Sequence, residues 1–330
     1  MNTYNKLVAI NEAVGMIESN KVLVIAGNED VLNKLPKGNW IGGTIPYFMN
    51  VNGGCFNKTD VFVTDFTDVI KDFSIKSYKE KELSNFIKDR YSNGFSYILI
   101  PAFSSIHQKY SIDVYSYPGL YDSPLFGWIT GIDLNELGKK VPKVINGKTM
   151  EILDNEAVLI HAQIPVNKFA RLEILNLFEQ GGGDILTFSK PGFESNECKV
   201  NNNNYNLAKY IVEKNIDTRL PLVADYSGAY INISIQNVDK ENNTVQFYAP
   251  VRENIEYKFA KPISNYVSEF NKIIPTNTNK IIASCNCILN YLYSELEGKK
   301  TGNMTGPITF GEIAYVLVNQ TMVYLSIEDK

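Results

Sequence analysis

Histidine and tryptophan are scarce, with 2 of each in 330 residues. Any histidine-based mechanism is therefore confined to His107 and His161, because few other side chains change charge near neutral pH. Cysteine is scarce as well, and Cys55, Cys198, Cys285 and Cys287 are scattered apart from one Cys-x-Cys. A chain of this length builds a core without staples, so no disulfide framework is expected. A single Cys-x-Cys with no second pair makes a poor zinc site. Basic clusters are missing, and the net charge of −4 argues against nucleic acid as the main partner, since phosphate contacts need local lysine and arginine density. No apolar run reaches the roughly 20 residues that cross a bilayer. The start, Met1-Asn-Thr-Tyr-Asn-Lys, carries no hydrophobic signal core. These absences lead to the expectation of a cytoplasmic protein with neither membrane nor nucleic acid as partner. Phosphate loops, nucleophile elbows and metal-ligand spacings are missing too, so no motif names a reaction.

What is present reads as a globular α/β chain. Hydrophobic content of 44% and charged content of 21% are ordinary, and the length suits two domains or lobes. Ile10, Ala13, Val14 and Ile17 mark a helix, followed by a strand over 21–26 and another over 60–66. The run 69–76 reads as a further strand. Leu83, Phe86 and Ile87 predict a helix over 79–91 that Asn93-Gly94 ends. The stretch 95–103 then repeats the pattern of 21–27. Asn39-Trp-Ile-Gly-Gly-Thr-Ile and Phe126-Gly-Trp-Ile-Thr-Gly-Ile are alike, and each lies between an apolar strand and a later one. That similarity suggests an internal duplication, about 8–78 and 79–165. Phe169, Leu172, Ile174, Leu175 and Phe178 predict a helix over 168–180, broken by Gly181-Gly-Gly.

The Asn-rich stretch 191–204 is the candidate boundary, giving an N-terminal domain of 1–190 and a C-terminal domain of 191–330. Beyond it, strict alternation over 229–236 predicts a half-buried strand that returns at 245–249, with helices over 205–214 and 263–274. An apolar strand from Lys280 leads into a helix carrying Cys285, Ile288, Leu289, Leu292 and Leu296, stopped by Gly298. The runs 313–318 and 321–327 predict a terminal hairpin. The expected fold is mixed α/β and two-lobed. Its N-terminal half is a duplicated strand–helix–strand–strand unit, and its C-terminal half is an antiparallel sheet with packed helices.

The last part of the chain resembles a known family. Ser284-Cys285, then Gly306, Thr309-Phe310-Gly311-Glu312-Ile313, then Asn319 and Thr321 are similar to the C-terminal half of FIST-domain proteins. Leu220-Pro-Leu-Val-Ala and Pro250-Val-Arg-Glu-Asn also look like that half. Cys287 and Ile288 stand where the family carries a basic residue, and Asn254 replaces a glycine. The resemblance implies FIST-N-like and FIST-C-like domains in a bacterial sensory protein for small ligands. The signal would then pass to a separate signalling protein. It also implies that haem held by His107 or His161 is an alternative, no cofactor being the main expectation.

Candidate site residues carry open alternatives. Gly43, with Trp40, Thr44, Trp128 and Thr130 around it, forms either a pocket floor for a small ligand or close strand packing. Trp40 with Gly43 and Trp128 with Gly131 should occupy equivalent positions in two related units. Ser284, Cys285, Thr309 and Glu312 are candidate ligand contacts, with Glu312 suited to an amino group of an amino-acid-like molecule. The carboxylate otherwise needs a partner, expected in the backbone of the 301–306 loop or in Arg252. Cys285 or Cys287 at a helix N-terminus is the alternative nucleophile of a hydrolase or amidase; the default reading keeps both cysteines structural.

Overall fold

Runs rich in valine, isoleucine and aromatic residues recur through the first half, and each becomes a short strand. The computed structural model describes residues 4–226, 228–275 and 278–330; the first three residues of the start read above as lacking a signal core lie outside them. The chain opens with β1 (Tyr4–Val8), α1 (Ile10–Glu18), β2 (Leu23–Gly27), α2 (Glu29–Leu32) and β3 (Trp40–Thr44). The hairpin β4 (Tyr47–Asn50) and β5 (Gly53–Phe56) follows, then β6 (Val61–Asp65) and β7 (Asp72–Tyr78). After a 3-10 helix come β8 (Gly94–Pro101), α3 (Ser105–Asp113) and β9 (Leu125–Thr130). The half closes with β10 (Val144–Asn146), β11 (Glu151–Leu153) and β12 (Ala157–Gln163).

One arrangement occurs twice. β2 and β3 run parallel, with β6 antiparallel to β2 and β10 antiparallel to β3. β8 and β9 run parallel in the same way, with β12 antiparallel to β8 and Glu312–Ala314 antiparallel to β9. The registers agree as well, since Leu23 pairs with Trp40 and Leu99 with Trp128. Five residues past each leucine, Asn28 and Ser104 cap the following helix. In each case a short polar side chain takes one of the free N–H groups of the first turn. The two tryptophans thus have the same neighbours and the same strand directions.

The fold is mixed α/β, with five sheets among the described residues. The two halves are interwoven in them. Glu312–Ala314 and Val316–Val318 complete the sheet of β7, β8, β9 and β12, whereas β4 and β5 extend a C-terminal sheet through Gly306–Thr309. The other two C-terminal sheets are antiparallel, and the helices α4 (Leu207–Glu213), α5 (Tyr266–Ile273) and α6 (Ile288–Tyr293) complete that half.

Several elements differ from their sequence-based expectation, each for a long-range reason. The segment expected as a helix over 168–180 is a strand, Lys168–Leu175, paired residue for residue with Met322–Asp329. A ladder to a partner more than a hundred residues away overrides local helical periodicity. The expected terminal hairpin is split for the same reason. Glu312–Ala314 turns at Tyr315 (φ 62°) to pair with Val316–Val318. Met322–Asp329 instead enters another sheet, between Lys168–Leu175 and Ile281–Cys287. The helix expected to carry Cys285 begins only at Ile288, because the strand runs on through Cys287. The helix expected over 79–91 is a 3-10 helix, Glu80–Ile87, which buries Leu83 and Phe86 at its i, i+3 spacing. Alternation over 229–236 breaks at Ser234, where the chain passes from one sheet to another. Asn319 Oδ1 accepts from the Ser234 N–H there (3.2 Å), and the Ser234 hydroxyl donates to Gln320 (2.7 Å).

Two glycines separate packing from backbone effects. A Cβ at Gly43 would lie 2.4 Å from Trp128 Cη2 and 2.7 Å from Thr130 Cγ2. Gly43→Ala should therefore lower unfolding free energy by about 1–3 kcal/mol through overpacking. Gly15, exposed within α1, has nothing within 4 Å of its would-be Cβ. Gly15→Ala should raise stability by about 0.5–1 kcal/mol, and urea titration of both variants measures the two opposite signs.

Candidate functional site

The glycine-rich strands support indole rings. Trp40 and Trp128 are fully buried. Trp40 covers Gly42 and Gly147, and Trp128 covers Gly43. The Trp128 indole N–H donates to Tyr97 Oη at 2.8 Å. Thr44 Oγ1 accepts from the Lys143 N–H (2.9 Å), while Thr130 is buried with an unpartnered hydroxyl. Close strand packing, one of the two readings left open, therefore accounts for Gly43 and both tryptophans.

Glu312 is fully buried between Trp128 on β9 and Val318 on the next strand. Its partners are two hydroxyls and the backbone N–H of Thr321, which lies 3.4 Å from Oε2. Oε2 accepts from Thr321 Oγ1 at 2.8 Å, and Oε1 lies 3.2 Å from Thr309 Oγ1. The 301–306 loop makes no contact with it; that loop binds Ser284, whose hydroxyl donates to Thr305 O at 2.8 Å. Arg252 lies elsewhere, its guanidinium 3.7 Å from the centroid of the Tyr115 ring. Among the described residues no cation pairs with Glu312. Burial consequently pushes its carboxyl up to about 8, so the acid is protonated at neutral pH. A protonated Oε1 can donate to Thr309 Oγ1, leaving that hydroxyl to donate to Gly311 O at 3.1 Å. This arrangement satisfies every polar atom of the group without a charge.

Cys285 and Cys287 face the same acid. Both thiols are fully buried, and burial first, then Glu312, pushes them well above the usual thiol range. The Cys285 thiol donates to Gly127 O at 3.7 Å, and no imidazole bonds to either sulfur. A nucleophile needs the thiolate and a base, and this environment favours neither.

His161 is occupied on both ring nitrogens. Tyr78 Oη donates its one proton to Asp89 Oδ2 (2.7 Å), so it accepts from His161 Nε2–H (2.8 Å). Nδ1 then accepts from the Ser96 hydroxyl at 2.8 Å. Burial holds the ring neutral, with its pKa lowered to about 4.

His107 is different. It lies on α3 at the wall of a cavity of about 890 Å3, within the range of small-molecule sites. The cavity sits past the carboxyl ends of β8 and β9, where an open α/β sheet leaves a crevice. Phe103, just after β8, forms its lip at φ 64° and is 53% exposed. A left-handed backbone on an exposed aromatic residue is strained, a feature that concentrates at functional sites. Phe310 meets the Phe103 ring edge-on at 6.0 Å and covers Gly131. Phe193, Phe247 and residues of α6 also line the cavity. His107 is 7% exposed, packs edge-on against Phe193, and its Nε2 has no hydrogen-bond partner. Desolvation lowers its pKa to about 4, so it is a neutral imidazole. In the first unit Lys143, beside the end of β3, bonds Glu29 at the start of α2 at 2.5 Å.

Sequence reasoning picked out His107 only as an alternative haem ligand and missed the rest of this wall. Within Thr309-Phe310-Gly311-Glu312, the residue that reaches the cavity is Phe310. The available signal was the parallel strand pair followed by Pro101-Ala-Phe-Ser-Ser and a capped helix, because such crevices form where parallel strands end. Among the described residues no cluster of three or more metal-ligating side chains occurs, and no helix is long and apolar enough to cross a membrane.

Glu312 gives the protein a defined pH response. Its folded pKa of about 8 lies above the ordinary 4.5, so the folded state holds the extra proton between those values. That contribution is complete below about pH 4.5 and is lost as pH rises toward 8, a change on the order of 3–5 kcal/mol. The histidines oppose it below about pH 6.5, so the informative quantity is a difference. The stability of Glu312→Gln minus that of wild type should increase steadily from pH 5 to 8 in calorimetry. Thiol accessibility tests the same region. Brief alkylation at pH 8 followed by mass spectrometry should label only Cys55, the one half-exposed thiol, and all four once the protein is denatured. Rapid native labelling of Cys285 or Cys287 would restore the nucleophile reading.

No curated protein and no solved structure matches the chain. The profile of a family of unknown function (DUF6976) matches residues 8–328, and the chain belongs to that family.

Proposed function

We propose that the protein binds a small, largely apolar molecule in the cavity at the carboxyl ends of β8 and β9 and acts as a ligand-responsive protein. The observation that carries this reading is His107. A buried imidazole with an unpartnered Nε2, at the wall of a largely apolar cavity of about 890 Å3, is a costly arrangement that a bound ligand can relieve. The likeness of the C-terminal motifs to FIST-domain proteins adds a sensory role, with the signal passing by association to a separate protein. Four free cysteines suit a cytoplasmic setting. A cysteine hydrolase has little support, since both candidate thiols are sealed and protonated. The same free nitrogen supports haem as a second ligand class; haem titration producing a Soret band that His107→Phe abolishes favours it, and no band removes it.

An uncharged fluorescent probe, N-phenyl-1-naphthylamine, tests the main reading. It should bind saturably at one site per chain. Leu137→Arg, at an exposed position on the cavity mouth, should weaken that binding about tenfold or more and leave the melting temperature nearly unchanged. Absent saturation, or binding indifferent to Leu137→Arg, contradicts the proposal.

A further inference from the structure

We infer that the cavity takes an amphipathic anion, an aliphatic or aromatic body with a carboxylate head that rests on Lys139 and Lys140. This rests on the binding reading above and names the ligand's class. The body follows from the walls, where Phe193, Phe247, Ile288, Leu289 and Phe310 offer apolar surface to a hydrocarbon.

The head follows from the mouth. The loop after β9 carries Leu137, Gly138, Lys139, Lys140 and Val141, all on the cavity wall. Leu137 is 44% and Val141 53% exposed, so two aliphatic side chains flank two ammonium groups in water. Lys140 already has a partner, Glu136, at 3.1 Å. Lys139 has no carboxylate within ion-pair distance among the described residues. Lysine pairs apolar stem with charged tip, and here both parts of that pairing border an empty apolar space. The rest of the lining includes Gln108, Gln236 and Gln246, together with its one carboxylate, Glu194. An anionic head is repelled from Glu194 and drawn toward the lysines, which sets the direction of entry. His107 stands at the same wall with Nε2 sealed and unpartnered; a ligand that turns the ring toward the cavity gains a hydrogen bond from Nε2–H to a carboxylate oxygen without a buried charge.

The test displaces N-phenyl-1-naphthylamine with dodecanoate, dodecanol or dodecyltrimethylammonium, each below its micelle concentration. Dodecanoate should compete about tenfold more strongly than dodecanol, and the cation least. Lys139→Glu should remove the preference for dodecanoate over dodecanol, and added salt should reduce it in wild type. His107→Phe should weaken dodecanoate while sparing the uncharged probe. Thermal melts of both variants show that they fold. Dodecanol equal to or better than dodecanoate, a preference for the cation, or a preference that survives Lys139→Glu overturns the ligand class and leaves apolar binding intact. A probe that never binds overturns both.

Discussion

The Trp128 indole lying on bare backbone at Gly43 is the contact on which the rest of the structure depends. It brings β9 of the second unit against β3 of the first at a distance that no side chain at position 43 would allow. The Gly131 N–H then donates to Thr44 O at 2.7 Å, a direct backbone tie between the units. With Gly131 held there, Phe310 covers it from the C-terminal half, and Glu312 pairs across from Trp128. One close approach thus fixes the strand after β9, the wall of the cavity and the position of the buried acid.

The same dependence separates the two similarly built units. Both end a parallel strand pair beside a capped helix, and either could leave a crevice there. In the first, α2 is a single turn, and Glu29 at its start pairs with Lys143. In the second, α3 is longer, its His107 stands at the cavity wall, and strands from the C-terminal half supply part of that wall. The cavity therefore exists only because the halves interweave.

Much of the first half was legible in the sequence because its signals are local. Apolar runs and two Gly–Trp segments each report on a few neighbouring residues. The errors lie where a distant partner decides. Lys168–Leu175 has helical spacing but pairs with the end of the chain, and the run after Tyr315 divides between two sheets. The site was less legible still. Tryptophan beside glycine reads equally as pocket or packing until the ring is placed, and Glu312 reads as charged until burial makes it neutral. His107 reads as part of a polar loop, since both its helix and its missing partner emerge only in the folded chain.

The two histidines make a direct measurement possible, because His161 is a built-in control with both nitrogens engaged. Long-range 15N–1H NMR of the imidazoles during titration with dodecanoate should shift the His107 Nε2 resonance progressively to saturation. The His161 resonances should stay where they are. Saturating ligand that leaves His107 unmoved, or that moves His161 instead, would contradict the assignment of the cavity as the binding site.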